Sequence, residues 1–160
     1  MKKKLLIFVM ALMSLCGYAQ QGEQAVGVNL GVAPYVGSGP YSFTNFQLGL
    51  LYRYNITDNI RLEGDLDYGF KDNGLGIFDI TANAQYLFQP WSKITVYPFL
   101  GVGYANVSGY GSSLSRFVLN AGVGGEYALK SNLDLGLKIN YQYIKNFVRL
   151  PMAIYVTYKF

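Results

Sequence analysis

Hydrophobic and polar residues alternate one by one along most of the chain after residue 20. In RLEGDLDYGF (61–70), the first four odd-numbered positions are charged, and Leu, Gly, Leu and Tyr follow them in turn. Successive side chains of a β-strand point to opposite faces, so this pattern predicts a strand with one charged and one apolar face. Eight segments share the pattern: 24–33, 45–55, 60–70, 77–88, 94–104, 116–127, 133–143 and 150–160. No segment has helical periodicity, and the sequence therefore predicts an all-β fold.

The charged residues within these segments all lie on the same face of their strands. They are Arg53, Arg61, Glu63, Asp65, Asp67, Asp79, Arg116, Glu126, Asp134, Lys138 and Lys159. The opposite face carries aliphatic and aromatic residues and no charge. As the core of a soluble eight-stranded barrel, that face would crowd an interior with little free space. We therefore expect the apolar face to contact lipid, while small and charged residues fill the lumen.

Aromatic residues of the apolar face gather at the two ends of the segments. One group is Tyr52, Tyr54, Tyr86, Phe88, Trp91, Tyr127, Tyr158 and Phe160; the other is Tyr68, Phe70, Phe78, Tyr104, Phe117, Tyr141 and Tyr143. Two aromatic girdles around an apolar band are typical of transmembrane β-barrels. Closure of the barrel would also remove unpaired strand edges, which are costly in lipid. The prediction is a transmembrane, antiparallel, up-and-down barrel of eight strands.

An even number of strands places both chain ends on the same side of the barrel, which we expect to be periplasmic. The links at 57–59, 90–92 and 130–132 are then short periplasmic turns. The outer loops are expected at 35–44, 71–76, 105–115 and 144–149. The link 105–115, ANVSGYGSSLS, has a composition suited to adaptable recognition, which is equally that of an ordinary flexible loop.

The first 19 residues have the three parts of an export signal. Lys residues at 2–4 precede an apolar stretch at 5–15, and small residues at 17–19 fit a signal-peptidase site. We predict cleavage after Ala19, which leaves a barrel domain at 20–160. Lipidation of Cys16 is the alternative, although Leu15 stands where lipoprotein signals have a small residue.

The composition argues against catalysis, metal binding and cofactors. The chain contains no histidine, and its only cysteine lies in the predicted signal. Ser-His arrangements are therefore excluded and a zinc site is not expected, whereas a mechanism with carboxylates only remains open. The glycine runs at 101–104 and 122–125 match neither a dinucleotide fingerprint nor a P-loop. Removal of the signal lowers the net charge from +4 to +1, which gives no support for nucleic-acid binding.

The charged lumen face has two interpretations. It could be an ion path or a carboxylate pair, with Asp65 and Asp67 as the example, or it could be a salt-bridged plug. The face has five basic and six acidic residues, so its charges are nearly balanced. Because a buried charge needs a partner, the balance favours the plug.

Three features make the chain resemble the small eight-stranded outer-membrane barrels of the OmpX/OmpA type. The predicted signal ends in GYAQ, and PFLGVGYA at 98–105 is similar to the Pro-aromatic-x-Gly-x-Gly-aromatic strand of that family. The chain also ends in IYVTYKF, at 154–160. The resemblance covers essentially all of residues 20–160. It implies that Val156, Tyr158 and Phe160 form the signal that the barrel-assembly machinery recognises during insertion.

The resemblance implies a location in the bacterial outer membrane, surrounded by its lipid, but not an individual function, because this fold hosts many activities. We expect a non-catalytic, monomeric barrel with a plugged lumen and a structural or interaction role at the cell envelope. One alternative is a narrow porin-like channel for ions or very small solutes. Another is surface binding or adhesion through the outer loops.

Overall fold

The structure, a computed structural model, describes residues 22–36, 43–109, 112–145 and 147–160. The predicted export signal and Cys16 lie outside these residues. Ten strands are present: β1 (Gln24–Pro34), β2 (Thr44–Asn55), β3 (Ile60–Asp72), β4 (Leu75–Tyr86), β5 (Phe88–Trp91), β6 (Ile94–Gly109), β7 (Ser112–Lys130), β8 (Leu133–Ile144), β9 (Phe147–Arg149) and β10 (Met152–Lys159). Within the described ranges, no helix is long and apolar enough to cross a membrane.

The ten strands occupy eight positions around a closed antiparallel barrel. β1 pairs with β2 on one side and with β10 on the other, from Ala25↔Lys159 to Val32↔Met152, and this pairing closes the sheet. β5 continues the path of β4 along β6, and β9 and β10 both pair with β8. The break between β9 and β10 includes Pro151, which has no N–H to donate to a neighbouring strand. The predicted eight-stranded barrel is confirmed.

We name the two ends of the barrel from the path of the chain. The terminal end is where β1 begins and β10 ends, and the distal end is opposite. At the terminal end, the turns at 56–59 and 131–132 agree with prediction. The third turn lies at 92–93, because Pro90 and Trp91 belong to β5 rather than to the predicted turn at 90–92.

The distal links differ from the predicted loops. Only Asn73 and Gly74 connect β3 to β4, and their φ angles of 47° and 80° suit the tight type I′ turn that Asn-Gly favours. The predicted loop at 105–115 is mostly a hairpin, paired from Ala105↔Arg116 to Gly109↔Ser112. Similarly, β9 pairs directly with β8 over most of the predicted loop at 144–149. Strand pairing satisfies the backbone over most of these ranges despite their loop-like composition, so the predicted extent of three loops was wrong, although each contains a link between strands. The fourth, at 35–44, lies partly outside the described residues.

The two faces of the strands are oriented as the sequence predicted. Leu50 on the apolar face is 58 % exposed, whereas Asp65 on the charged face is 3 % exposed. The residues of the two predicted aromatic groups are exposed on the outer surface, except Tyr54, which is partly buried. Their rings form neighbouring pairs, such as Tyr68 with Phe70 at 5.1 Å between centroids and Tyr104 with Phe117 at 5.9 Å.

Candidate functional site in the lumen

The mouth of the lumen at the terminal end holds a small cluster of charges. Lys159 Nζ lies 3.0 Å from Asp134 Oδ2 and 3.5 Å from Glu23 Oε1. Asp134 is buried, while Lys159 and Glu23 are partly exposed. A polar cavity of about 60 Å³ lies beside them and is open to this end. The mouth is therefore accessible to water, which weakens its ion pairs.

The next layer consists of Arg53, Arg61, Glu63 and Glu126, which we call the charged layer. Arg53 Nε lies 2.5 Å from Glu63 Oε2, directly across from it on β2 and β3. Glu126 joins both arginines from β7, with Oε2 2.8 Å from Arg53 Nη1 and Oε1 2.8 Å from Arg61 Nη1. All four side chains are buried. Each buried charge in the layer thus has a partner of opposite sign.

Two tyrosines, Tyr97 on β6 and Tyr155 on β10, pack against the charged layer. The guanidinium carbon of Arg53 lies 4.4 Å from the ring centroid of Tyr155, and that of Arg61 lies 4.9 Å from the centroid of Tyr97. The two tyrosine hydroxyls are 2.6 Å apart, and Tyr155 donates to Glu126 Oε2 at 3.0 Å. The charges are therefore packed between aromatic rings rather than surrounded by water.

Glycines opposite the tyrosines make room for their rings. Tyr97 pairs with Gly124, and Tyr155 pairs with Gly136. A Cβ atom at Gly124 would lie 2.3 Å from the Tyr97 ring, and one at Gly136 would lie 2.2 Å from the Tyr155 ring. The sequence interpretation assigned only small and charged residues to the lumen and missed these tyrosines. The signal that could have found them is an inward-facing tyrosine opposite a glycine.

Lys138 extends the network toward the middle of the lumen. Its Nζ lies 2.7 Å from Asp65 Oδ1 and 3.2 Å from Glu63 Oε1. Asp67 instead accepts a hydrogen bond from Asn29 Nδ2 at 2.9 Å and has no ion pair among the described residues. A cavity of about 20 Å³ is lined by Asp65, Asp67 and Lys138, which is room for about one water. The predicted carboxylate pair is therefore divided between two different partners.

A separate ion pair lies closer to the distal end. Arg149 Nη2 is 2.9 Å from Asp79 Oδ2, and Arg149 also donates to Gln142. The sequence interpretation placed Arg149 in an outer loop, but it is 0 % exposed. Arg116, by contrast, was predicted to lie in the lumen but is partly exposed at the distal rim. It donates a hydrogen bond to the backbone carbonyl of Lys145 at 3.2 Å. The structure thus brings nine of the eleven predicted residues into the buried lumen, without Arg116 and the partly exposed Lys159.

Apolar side chains lie inside the barrel at the distal end. Five of them are buried together and form what we call the distal cluster: Phe43, Ile77, Ala105, Val118 and Ile144. Tyr35 and Phe147 pack against it, with the Tyr35 ring 5.3 Å and the Phe147 ring 6.1 Å from Phe43. The expectation that only small and charged residues line the lumen was wrong here, because the inward face becomes apolar where the charges end.

The ionisable side chains of the lumen are mostly paired with one another. The described residues contain no group of three or more side chains suited to hold a metal ion, and the sequence has no histidine. The buried arginines, Lys138 and their carboxylate partners already neutralise one another. Such an arrangement can brace the strands across the lumen and exclude water from it.

Several solved structures share this fold. Neisserial surface protein A is 22 % identical, with 86 % of this chain and 97 % of that chain covered and a TM-score of 0.72. The N-terminal β-barrel domain of OprF from Pseudomonas aeruginosa is 18 % identical, with 88 % and 100 % covered and a TM-score of 0.66. Ail, the attachment invasion locus protein of Yersinia pestis, is 18 % identical with the same coverage and a TM-score of 0.62. These similarities show the fold.

No curated protein matches the chain. The family model described as "Outer membrane protein beta-barrel domain" matches residues 7–160, which is nearly the whole sequence. Together with the closed barrel and its lipid-facing apolar surface, this match shows that the chain belongs to the outer membrane protein β-barrel domain family.

Proposed function

We propose that the chain is an integral protein of the bacterial outer membrane, exported by residues 1–19, with a structural or interaction role at the cell envelope. In this proposal both chain ends are periplasmic, so the terminal end faces the periplasm and the distal end faces outward. The barrel acts as a monomer, its lumen is sealed, and it has no catalytic activity.

The observation that carries this proposal is that the charged layer and the distal cluster both fill the lumen, at two different levels. In the charged layer, Glu126 binds the arginines of two other strands, so a passing ion would have to displace buried ion pairs. Separating such pairs leaves uncompensated buried charges and is strongly unfavourable. The distal cluster adds an apolar barrier that offers no partner for an ion.

The absence of catalysis is supported by the same residues. The whole sequence lacks histidine, and the lumen carboxylates Glu63, Asp65, Asp79 and Glu126 are each engaged by an arginine or lysine. A carboxylate in an ion pair with a buried cation is poorly suited to exchange protons with a substrate.

The assembly signal is part of the same proposal. Val156, Tyr158 and Phe160 are exposed on the outer face at the end of the chain. β10 is also the strand that closes the barrel against β1. The barrel-assembly machinery therefore binds β10 before β10 pairs with β1 and closes the barrel.

Single-channel conductance in a planar lipid bilayer tests the sealed lumen. The refolded protein should give no current steps under conditions in which a known small porin conducts. Insertion must be established separately, by the heat-dependent shift in gel mobility of folded barrels and by protection from protease. Stable and reproducible steps from inserted protein would overturn the proposal in favour of a narrow channel. Neutralising Glu63, Asp65, Asp67 and Lys138 in turn would then locate its path.

A further inference from the structure

The buried part of the lumen contains one more acidic than basic side chain. Apart from Asp134, which lies at the mouth with Lys159, the described lumen has four buried bases and five buried acids. The bases are Arg53, Arg61, Lys138 and Arg149, and the acids are Glu63, Asp65, Asp67, Asp79 and Glu126. If every one of these groups were ionised, the set would carry one uncompensated negative charge.

The uncompensated charge lies around Asp67. Each of the four bases has an ion pair with one of the other acids, whereas Asp67 has none among the described residues. Asp67 lies directly opposite Asp79 on β4 and two residues from Asp65 on the same face of β3. We call these three residues the carboxyl trio. Like charges at such neighbouring positions repel one another, so ionisation of all three groups is unfavourable.

The strands around the carboxyl trio supply only two basic groups. Lys138 approaches from β8 and Arg149 from β9, and Lys138 is shared with Glu63, the next acid along β3. The cavity of about 20 Å³ beside the trio is otherwise lined by uncharged residues. It has room for about one water and therefore none for an ion with its hydration shell. A proton is the smallest species that can balance the charge here.

The surroundings of Asp67 are also short of hydrogen-bond donors. Asn29 Nδ2 donates to Asp67 Oδ1 at 2.9 Å, while Oδ1 of the same amide is buried without a partner among the described residues. Both side chains lie over Gly49, where a Cβ atom would be 1.9 Å from Asp67 Oδ1 and 2.6 Å from Asn29 Nδ2. An ionised carboxylate can only accept hydrogen bonds, but a neutral carboxyl group also donates one. A proton would thus add a donor where acceptors are in excess.

We propose that the carboxyl trio takes up one proton when the barrel folds and keeps it at neutral pH, so that the buried lumen is electrically neutral. An uncompensated charge in a dry interior is neutralised rather than kept. The proton belongs to the trio as a unit, because closely placed carboxyl groups titrate together. This inference goes beyond the sealed lumen, since it makes the stability of the barrel depend on pH.

The direction of that dependence follows from the proton count. Unfolded carboxyl groups are ionised above about pH 5, so the folded barrel holds one proton more than the unfolded chain at neutral pH. Stability must therefore fall as the pH rises, until the trio releases its proton. For one whole proton, the folding equilibrium constant falls about tenfold per pH unit.

Urea unfolding at about pH 6, 7 and 8 tests this expectation. The sequence has no histidine, and its only cysteine lies in the predicted signal, so no side chain of ordinary acid strength titrates in this range. The α-amino group is the same in every variant. Wild type in phosphatidylcholine vesicles, followed by Trp91 fluorescence, should lose about tenfold in the folding constant per pH unit.

Two variants assign the proton to the trio. Asp67→Asn removes the excess acid and should abolish the pH dependence, whereas Asp58→Asn, in an exposed turn, is the matched control and should keep it. A wild-type stability that does not change with pH, or a pH dependence that Asp67→Asn retains, would overturn the proposal. So would a stability that depends on sodium rather than on pH when choline replaces sodium at constant ionic strength, because a cation would then balance the charge.

Infrared spectroscopy of the wild type detects the proton without any variant. In a detergent that has no ester groups, at pH 7, the folded protein should show the carbonyl stretch of a neutral carboxyl group. The band should shift when the protein is refolded in heavy water and should disappear on unfolding, because the unfolded acids are ionised. Absence of the band from the folded barrel would overturn the proposal.

Discussion

The charged layer and the distal cluster fill the same lumen at two levels with opposite chemistry. In the charged layer, Glu126 on β7 contacts arginines from β2 and β3 and a tyrosine from β10. In the distal cluster, five apolar side chains meet without a directional contact between them. The packing of the charged layer depends on particular partners, and the packing of the distal cluster depends on filled volume.

This difference predicts how the stability of the barrel responds to substitutions at each level. Removing one member of a buried charge network leaves its partner uncompensated, so the cost is large even when the shape is kept. Removing part of an apolar side chain costs the lost contacts and the cavity, so the cost grows with the volume removed. Substitutions at the two levels should therefore follow different rules within one barrel.

The largest effect is expected at Glu126. Glu126→Gln keeps the shape but removes the charge that two buried arginines share, and it should lower the free energy of unfolding by about 3–5 kcal/mol. Urea unfolding in vesicles measures this change through the fluorescence of Trp91, the only tryptophan. Asp58→Asn, in an exposed turn, is the matched control and should change little. Equal effects of the two substitutions would show that the charged layer contributes no more than a surface charge.

The next effect is expected at Ile144, which is 0 % exposed in the distal cluster. Ile144→Ala should cost about 3 kcal/mol and Ile144→Val about 1 kcal/mol, in proportion to the volume removed. The same urea titration compares the two variants. If Ile144→Val cost as much as Ile144→Ala, the distal cluster would depend on a specific contact, and the contrast with the charged layer would fail.

The faces of the strands could be predicted because alternation is a local property of every strand. Glu63, Asp65 and Asp67 face inward for the same reason that Leu62 and Leu66 face outward. The partners across the lumen could not be predicted, because they depend on how distant strands are placed around the barrel. Arg61 and Glu126, for example, are 65 residues apart in sequence.

The predictions for Arg149 and Arg116 failed because the composition of the sequence did not distinguish strand from link at these positions. Arg149 is the last residue of the predicted loop at 144–149, but three residues of pairing with β8 are enough to direct its side chain into the lumen. Arg116 continues the alternation of β7 beyond the level at which β8 ends, so its inward position is no longer enclosed. The position of the barrel rim, which decides both cases, is set by strand pairing and not by the local pattern.

Asp79 and Asp67 offer a closer test, because both are buried carboxylates in the middle and distal parts of the lumen. Asp79 binds Arg149, whereas Asp67 accepts a hydrogen bond from Asn29 and has no ion pair among the described residues. Asp79→Asn should cost about 2 kcal/mol because a buried guanidinium loses its counter-charge, and Asp67→Asn should cost less than about 1 kcal/mol. Urea unfolding measures the loss in the free energy of unfolding for both variants. A larger loss for Asp67→Asn would mean that burial, rather than pairing, sets the cost of a lumen carboxylate.

The smallest effect is expected at the mouth, where the Glu23 side chain is 48 % exposed and lies 3.5 Å from Lys159. Glu23→Gln should cost less than about 1 kcal/mol, because water screens the pair and Lys159 keeps Asp134 at 3.0 Å. Raising the salt concentration should remove even this difference in urea unfolding. The effect of Glu126→Gln should persist in the same salt, since its partners are buried. A salt-resistant loss of stability for Glu23→Gln would show that the ion pair at the mouth is shielded from solvent as the charged layer is.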